Sequence, residues 1–349
     1  MGRWYCTREA VKRALGEQTP SGERDKVLDQ KIEAASREIE GLTHRIFIPE
    51  TRADLYPWPQ RNGRGSALFL SDDLLAVTSL TKDGTDVTAI ASTDYFLEPS
   101  IEGPPYHRIE IDLASSAFFS AKDTHQRAIT VTGRWGYSED TEAAGALAAA
   151  ITDAAATTCA ISDSSLVGIG DTLKIGTEQA FVTAKALLTT GTTLNDTLTA
   201  LKSDTLVTVA SGAAIKDGEI ITLDSERMFV ESISGNDLTV IRGYDGSTLA
   251  SHSTGITVYA PRTLTIVRGV NGTTAATALN AAAVSRYVAP YDVVNLCEAI
   301  AIFEYMQSRG GRTGVIGTGE GAVEITGRSL AKLREGVRRR YLRHAVGAV

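Results

Sequence analysis

The side chains best placed for recognition chemistry sit in a phrase that occurs twice. Arg242, Gly243, Asp245 and Gly246 make up one copy, and Arg268, Gly269, Asn271 and Gly272 the other. An arginine at the end of a strand offers a planar fork of donors. It could read an acidic or sugar ligand, or it could tie the turn to its own module. The Asp-Gly and Asn-Gly pairs reach positive φ at low cost, which gives these residues a structural role in tight turns. A second concentration lies at 329–344, where Lys332, Arg334, Arg338, Arg339, Arg340 and Arg343 face a lone Glu335. Leu330, Leu333, Val337 and Tyr341 form a helical stripe among them. On a chain of net charge −7, that reversal marks an element that attaches to something acidic, either DNA or a protein surface. The aligned apolar stripe favours a protein surface. A helix packed on its own core with a solvated basic face stays open as the alternative.

Other candidates are weaker. Glu110 and Asp112 share one face of an alternating strand, which would suit a general acid and base but follows equally from strand alternation. The glycine-rich 310–321 ends in Gly-Thr-Gly-Glu-Gly, but that phrase lacks the Lys-Ser/Thr of a phosphate-binding loop and follows a helix, so the segment reads as a mobile linker. Cys6, Cys159 and Cys297 are far apart and without Cys-x-x-Cys spacing, and read as buried small hydrophobes. The five histidines are scattered. No catalytic residue, cofactor or metal site is expected, and the chain is read as no enzyme. Its acidic balance argues against a surface that grips nucleic acid throughout. The N-terminus is charged from the start and no apolar run reaches bilayer length, so the expectation is a protein without membrane contact, folded in the cytoplasm.

The elements that must position these residues follow from periodicity. Thr7 caps a short helix carrying Ala10, Val11, Ala14 and Leu15 and stopping at Gly16. Leu28, Ile32, Ala35, Ile39 and Leu42 step by four, three, four and three residues, one stripe of a helix over about 23–44. The opposite face carries both signs of charge and could serve as an ionic subunit contact. Short runs at 45–49, 66–70, 76–81, 85–90, 94–99, 107–113 and 128–132 predict a small antiparallel sheet. From Tyr291 a helix apolar nearly all round predicts burial, with a stop at Gly310.

Between these parts lies a nested repeat. Residues 157–182 align without gaps over 205–230 at a separation of 48, which pairs Gly170 with Gly218, Glu178 with Glu226 and Phe181 with Phe229. The second halves, 238–246 and 264–272, match at a separation of 26. The two separations disagree, so one β-module, 205–261, interrupts another made of 157–183 and 262–290. Segment 185–202 belongs to the join and carries no site. The fold class expected is α+β: a helical core with a small antiparallel sheet, interrupted by an all-β insertion of two nested β-modules. The domain reading is 1–148 and 291–349 as one split core, with 149–290 inserted.

The flanks resemble the head-to-tail connector, or adaptor, proteins of tailed bacteriophages. The resemblance rests on the order of YCTREAVKRALG, LDQKIEAASREIEGLTHRIFIPE, LFLSDDLLAVTSLTKDGT, DYFLEP, PPYHRIEID and ITVTGRWGYSED. It covers about 3–140 and 291–349 and leaves the β-modules outside. What it implies is a structural virion protein at the neck, assembled in the host cytoplasm. Such proteins form a homo-oligomeric ring, usually a dodecamer, under the portal protein; it extends the channel for genomic DNA, which passes without sequence-specific binding, and offers a surface to tail-completion, stopper or tail proteins. It also implies portal docking by the C-terminal helix, through Leu330, Leu333, Arg334, Val337, Arg338, Arg339, Arg340, Tyr341 and Arg343. The rival reading is a fibre or baseplate component whose β-modules bind a glycan or another virion protein.

Overall fold

Thr7 starts the first helix by accepting the Ala10 N–H at Oγ1, 3.2 Å away, and Gly16 closes it in the left-handed region at φ 66°. The computed structural model describes residues 2–16, 22–59, 65–85, 87–122, 124–310, 315–316, 323–324 and 327–343. Helices α1 (Arg8–Leu15) and α2 (Gly22–Thr43) lead into β1 (Glu50–Tyr56), β2 (Ala67–Lys82), β3 (Thr88–Ile90), β4 (Tyr95–Glu98), β5 (Tyr106–Ile111) and β6 (Ile129–Trp135). These strands make an antiparallel sheet in the order β1-β6-β2-β5-β4, with β3 hairpinned onto β2. The runs expected as separate strands at 66–70 and 76–81 are one bulged strand, β2. Residues 45–49 are not a strand: Phe47 and Ile48 are buried in the helical core instead.

The inserted part comprises β7 (Thr141–Ala146), β8 (Thr158–Ala160), β9 (Thr172–Ile175), β10 (Glu178–Thr193), β11 (Leu206–Thr208), β12 (Ile220–Leu223), β13 (Glu226–Ser234), β14 (Asp237–Ile241), β15 (Thr257–Val267) and β16 (Ala283–Tyr287). They form one sheet in the order β11-β14-β13-β12-β15-β10-β9-β16-β7, with β8 also on β15. The sheet begins with β7, earlier than the expected boundary at 148/149. The small residues Ala143, Ala144, Gly145 and Ala146 carry too little side chain to show strand alternation in sequence.

Strands β10 and β15 join the two modules. They pair antiparallel from Phe181 opposite Val267 to Thr193 opposite Thr257, and register shifts divide the ladder between the outer and inner module. Segment 185–202, read as a join, is therefore strand over its first half, 185–193. Its last part delivers Leu194 and Leu198 into the inner core.

The chain returns through α3 (Tyr291–Gly310), the short pair β17 (Val315–Ile316) and β18 (Val323–Glu324), and α4 (Gly327–Tyr341). Of the glycine-rich 310–321 read as a linker, 311–314 and 317–321 lie outside the described residues. Among the described residues there are four helices and two large antiparallel sheets, so the fold is α+β. It is mostly β. The expectation of a core dominated by helices gives way, because the helical core is one of four clusters, beside one under the first sheet and one in each module. That helical core draws Leu28, Ile32, Ala35 and Ile39 from α2, and Val293, Leu296, Ile300 and Ala301 from α3, out of water together. Among the described residues no helix is long and apolar enough to cross a membrane.

Candidate functional site

Helix α4 turns most of its apolar stripe inward. Leu330, Val337 and Tyr341 are buried in the helical core, while Leu333 is 43% exposed. Tyr341 packs edge-on against Phe47 and Tyr137, at ring separations of 5.4 and 5.3 Å. The inference that the stripe is kept for a partner is thus corrected: its apolar area is spent on the chain's own core.

Several of its cations are also engaged within the chain. Arg334 pairs with Glu38 at 2.7 Å and Arg340 with Asp292 at 2.7 Å, where the Tyr341 hydroxyl also donates. Arg343, expected among the docking cations, is buried. Its guanidinium donates to the Leu70 carbonyl at 3.0 Å and lies 3.3 Å from Asp73, so burial removes it from any docking face. Lys332, Arg338 and Arg339 remain exposed, with Glu335 3.6 Å from Arg338.

Asp73, which the sequence did not single out, is the junction beneath α4. Arg45 reaches it at 2.7 Å while also donating to the Tyr341 carbonyl, and His107 approaches it at 3.4 Å. Burial raises the Asp73 carboxyl, opposed by Arg45, Arg343 and His107.

The repeated arginines form two matching clamps. Arg242 grips Glu226 through both carboxylate oxygens at 2.7 and 2.8 Å, and Arg268 grips Glu178 at 2.5 and 2.5 Å. In each clamp the same carboxylate accepts the N–H of the following glycine, Gly243 or Gly269, at 3.1 Å. It also accepts the N–H of Ala250 or Ala276 at 3.0 Å, and the arginine returns a bond to that alanine's carbonyl. Both side chains of the inner clamp are fully buried. Of the two roles open to these arginines, the geometry gives them the one within their own modules. Asp245, Asn271, Gly243, Gly246, Gly269 and Gly272 all take positive φ, as tight turns require.

His252 extends the inner clamp, with Nδ1 2.9 Å from Asp224 and Nε2 3.0 Å from Glu226. Burial pushes the Glu226 carboxyl up, but the bonds from Arg242, the Ala250 N–H, His252 and the Gly243 N–H outweigh it and hold the group at about 2. A third pair, Arg262 with Glu219 at 2.6 and 2.9 Å, locks the crossing between modules. At the matching place in the outer module, burial pushes Asp171 up to about 6 against Arg286 and the Gly168 N–H. The repeat carried a signal for the clamps, since Glu178 and Glu226 recur together with Arg268 and Arg242.

The two turn tips differ in what they touch. The outer tip clasps the N-terminal segment and β1: Asn271 donates to the Gly2 carbonyl at 3.2 Å, and a Cβ on Gly272 would lie 1.9 Å from the Thr51 carbonyl oxygen. The inner tip, with Tyr244 and Asp245, instead borders a cleft of about 600 Å³ beside α1. Lys12 and Asp25, and Arg227 and Asp245, pair along its walls at 2.8 and 3.4 Å.

The remaining candidates separate. Glu110 pairs with Arg108 at 2.9 Å, while Asp112 accepts the Ala114 N–H in a turn, so the two carboxylates do not act on a common point. The mixed-sign face of α2 is also engaged within the chain, through Arg8 to Asp29, Lys31 to Glu304 and Arg37 to Glu40. That removes most of it from a subunit contact. Cys6 and Cys297, distant in sequence, bring their sulfurs to 3.3 Å. Among the described residues no group of three or more His, Cys, Asp or Glu is placed to hold a metal ion. Compared with protein-family models, curated proteins and solved structures, the chain matches none.

Proposed function

We propose that this chain is a structural, non-catalytic subunit of a phage head-to-tail connector. In this reading it forms a ring, of twelve copies in the usual arrangement, beneath the portal at the virion neck. The ring extends the DNA channel and offers the surface for a stopper or tail protein. The observation that carries the reading is the split helical core. Tyr5, Cys6, Val11 and the α2 stripe pack with Val293 to Tyr305 of α3 and with Leu330 and Val337 of α4, across the whole β insertion. The phrases that resemble connectors fall on this core and on the first sheet: α1, α2, β2, β4, β5 and β6 each hold one.

Charge is compatible with the role. A ring through which DNA slides gains drag from each phosphate it neutralises, and the subunit is acidic at −7. Among the described side chains of α4, Lys332, Arg338 and Arg339 are cations left for an acidic partner surface, here the portal. The competing glycan-binding reading loses its most suitable arginines to the buried clamps. Electron microscopy of the purified protein, alone and with its portal, tests the proposal. A closed ring on the portal is the expected result, and no ring in either sample would overturn it.

A further inference from the structure

We propose that Cys6 and Cys297 are a redox-active dithiol, converted by a low-molecular-weight disulfide into an intrachain disulfide that covalently closes the split core. The sulfurs lie 3.3 Å apart, and bonding requires them to close by about 1.2 Å to the usual S–S length. Cys6 sits on the N-terminal segment just before α1, and Cys297 in the middle of α3, so the bond would join the first part of the core to the part that follows the insertion. Both are buried in an otherwise apolar core, where the neighbouring polar groups are Ser36 Oγ, 3.5 Å from Cys297, and the Tyr5 N–H, which donates to that same Ser36 oxygen at 3.2 Å. Cys159 is buried in the outer module among Leu173, Val182 and Leu264, which singles out Cys6 and Cys297 among the three cysteines.

The exchange balances without a further reactant. The Cys297 sulfur, as thiolate, attacks one sulfur of the reagent disulfide and releases the first reagent thiol. Cys6 then loses its proton and attacks the mixed disulfide at Cys297, which releases the second. Two protein thiols are oxidised and one reagent disulfide is reduced to two thiols. Burial opposes ionisation of Cys297, but the Cys6 thiol donates to its sulfur at 3.3 Å, which favours Cys297 as the attacking sulfur. Access requires the N-terminal segment to open locally. The proposal stands on the thiol geometry and not on the connector reading. In that reading, however, a virion leaving a reducing cytoplasm meets the oxidising conditions in which such bonds persist.

The test uses the full chain, reduced and then incubated with oxidised glutathione, an acyclic disulfide whose two thiols leave in turn. Free thiols are alkylated after denaturation and counted by intact mass. The expected result is one alkylated cysteine instead of three, with a nonreducing peptide map joining residues 6 and 297. The thermal midpoint should rise by about 10 °C, given the long loop closed. Cys159→Ser should oxidise like the parent, which keeps the test valid should Cys6→Ser or Cys297→Ser fold poorly. Three alkylated cysteines after oxidation, a link through Cys159, a bond between chains, or a lowered midpoint would each overturn the proposal.

Discussion

Arg343 Nη1 lies 3.3 Å from Asp73 Oδ1, so the end of the last helix is fastened to a strand of the first sheet. Arg45 completes the junction from the other side. Replacing Asp73 by Ala strands two cations against the core and should cost about 3–5 kcal/mol. Arg338→Ala, at an exposed position, should stay within about 0.5 kcal/mol. Urea denaturation of both variants checks the contrast, and equal effects would remove Asp73 from this role.

The α4 helix separates attachment from stability. Lys332→Glu, Arg338→Glu and Arg339→Glu combined should abolish portal attachment in a co-sedimentation assay and leave the thermal midpoint within a few degrees of the parent. Leu330→Ala should behave in the opposite way. It opens a cavity in the helical core and should cost about 2–5 kcal/mol.

The clamps should act module by module. Arg242→Ala leaves Glu226 buried without its guanidinium partner, and should accelerate hydrogen exchange across 205–261 more than across 157–183. Arg268→Ala should reverse that order. Uniform acceleration in both variants would show that the modules unfold as one unit.

Two carboxylates give opposite pH signatures. Glu226 is depressed to about 2, so its contribution to stability is present above the unfolded value near 4.5 and is lost as pH falls from there toward 2. Asp171 is raised to about 6, so the fold favours its protonated form. Stability therefore falls as pH rises from the unfolded value near 3.8 to about 6, and the penalty is complete above that. Asp171→Asn should remove this slope and stabilise the protein at pH 7 by on the order of 2 kcal/mol. Denaturation midpoints measured from pH 3 to 8 distinguish the two groups.

Gly272 and Gly176 both take positive φ, at 75° and 61°, yet only Gly272 meets neighbouring backbone. Gly176→Ala should cost about 1 kcal/mol for its conformation alone. Gly272→Ala must in addition push β1 away at Thr51, and should cost clearly more by calorimetry.

Local pattern settled a good part of this protein. The stripe from Leu28 to Ile39 determined a buried helix face, the all-round apolarity of 291–305 determined a central helix, and the two repeat separations determined that one β-module lies within another. These are properties of periodicity and self-similarity, which a chain carries before it folds. The distribution of ionic groups needed tertiary structure. Arg343 reads like its neighbours on α4 until Asp73 is found beneath it, and Arg242 reads like a ligand-binding fork until Glu226 fills it. A charged side chain's role depends on whether a partner and burial await it across the fold, and a one-dimensional pattern does not contain that distance. The same holds for Cys6 and Cys297: only folding makes neighbours of residues that the sequence holds far apart.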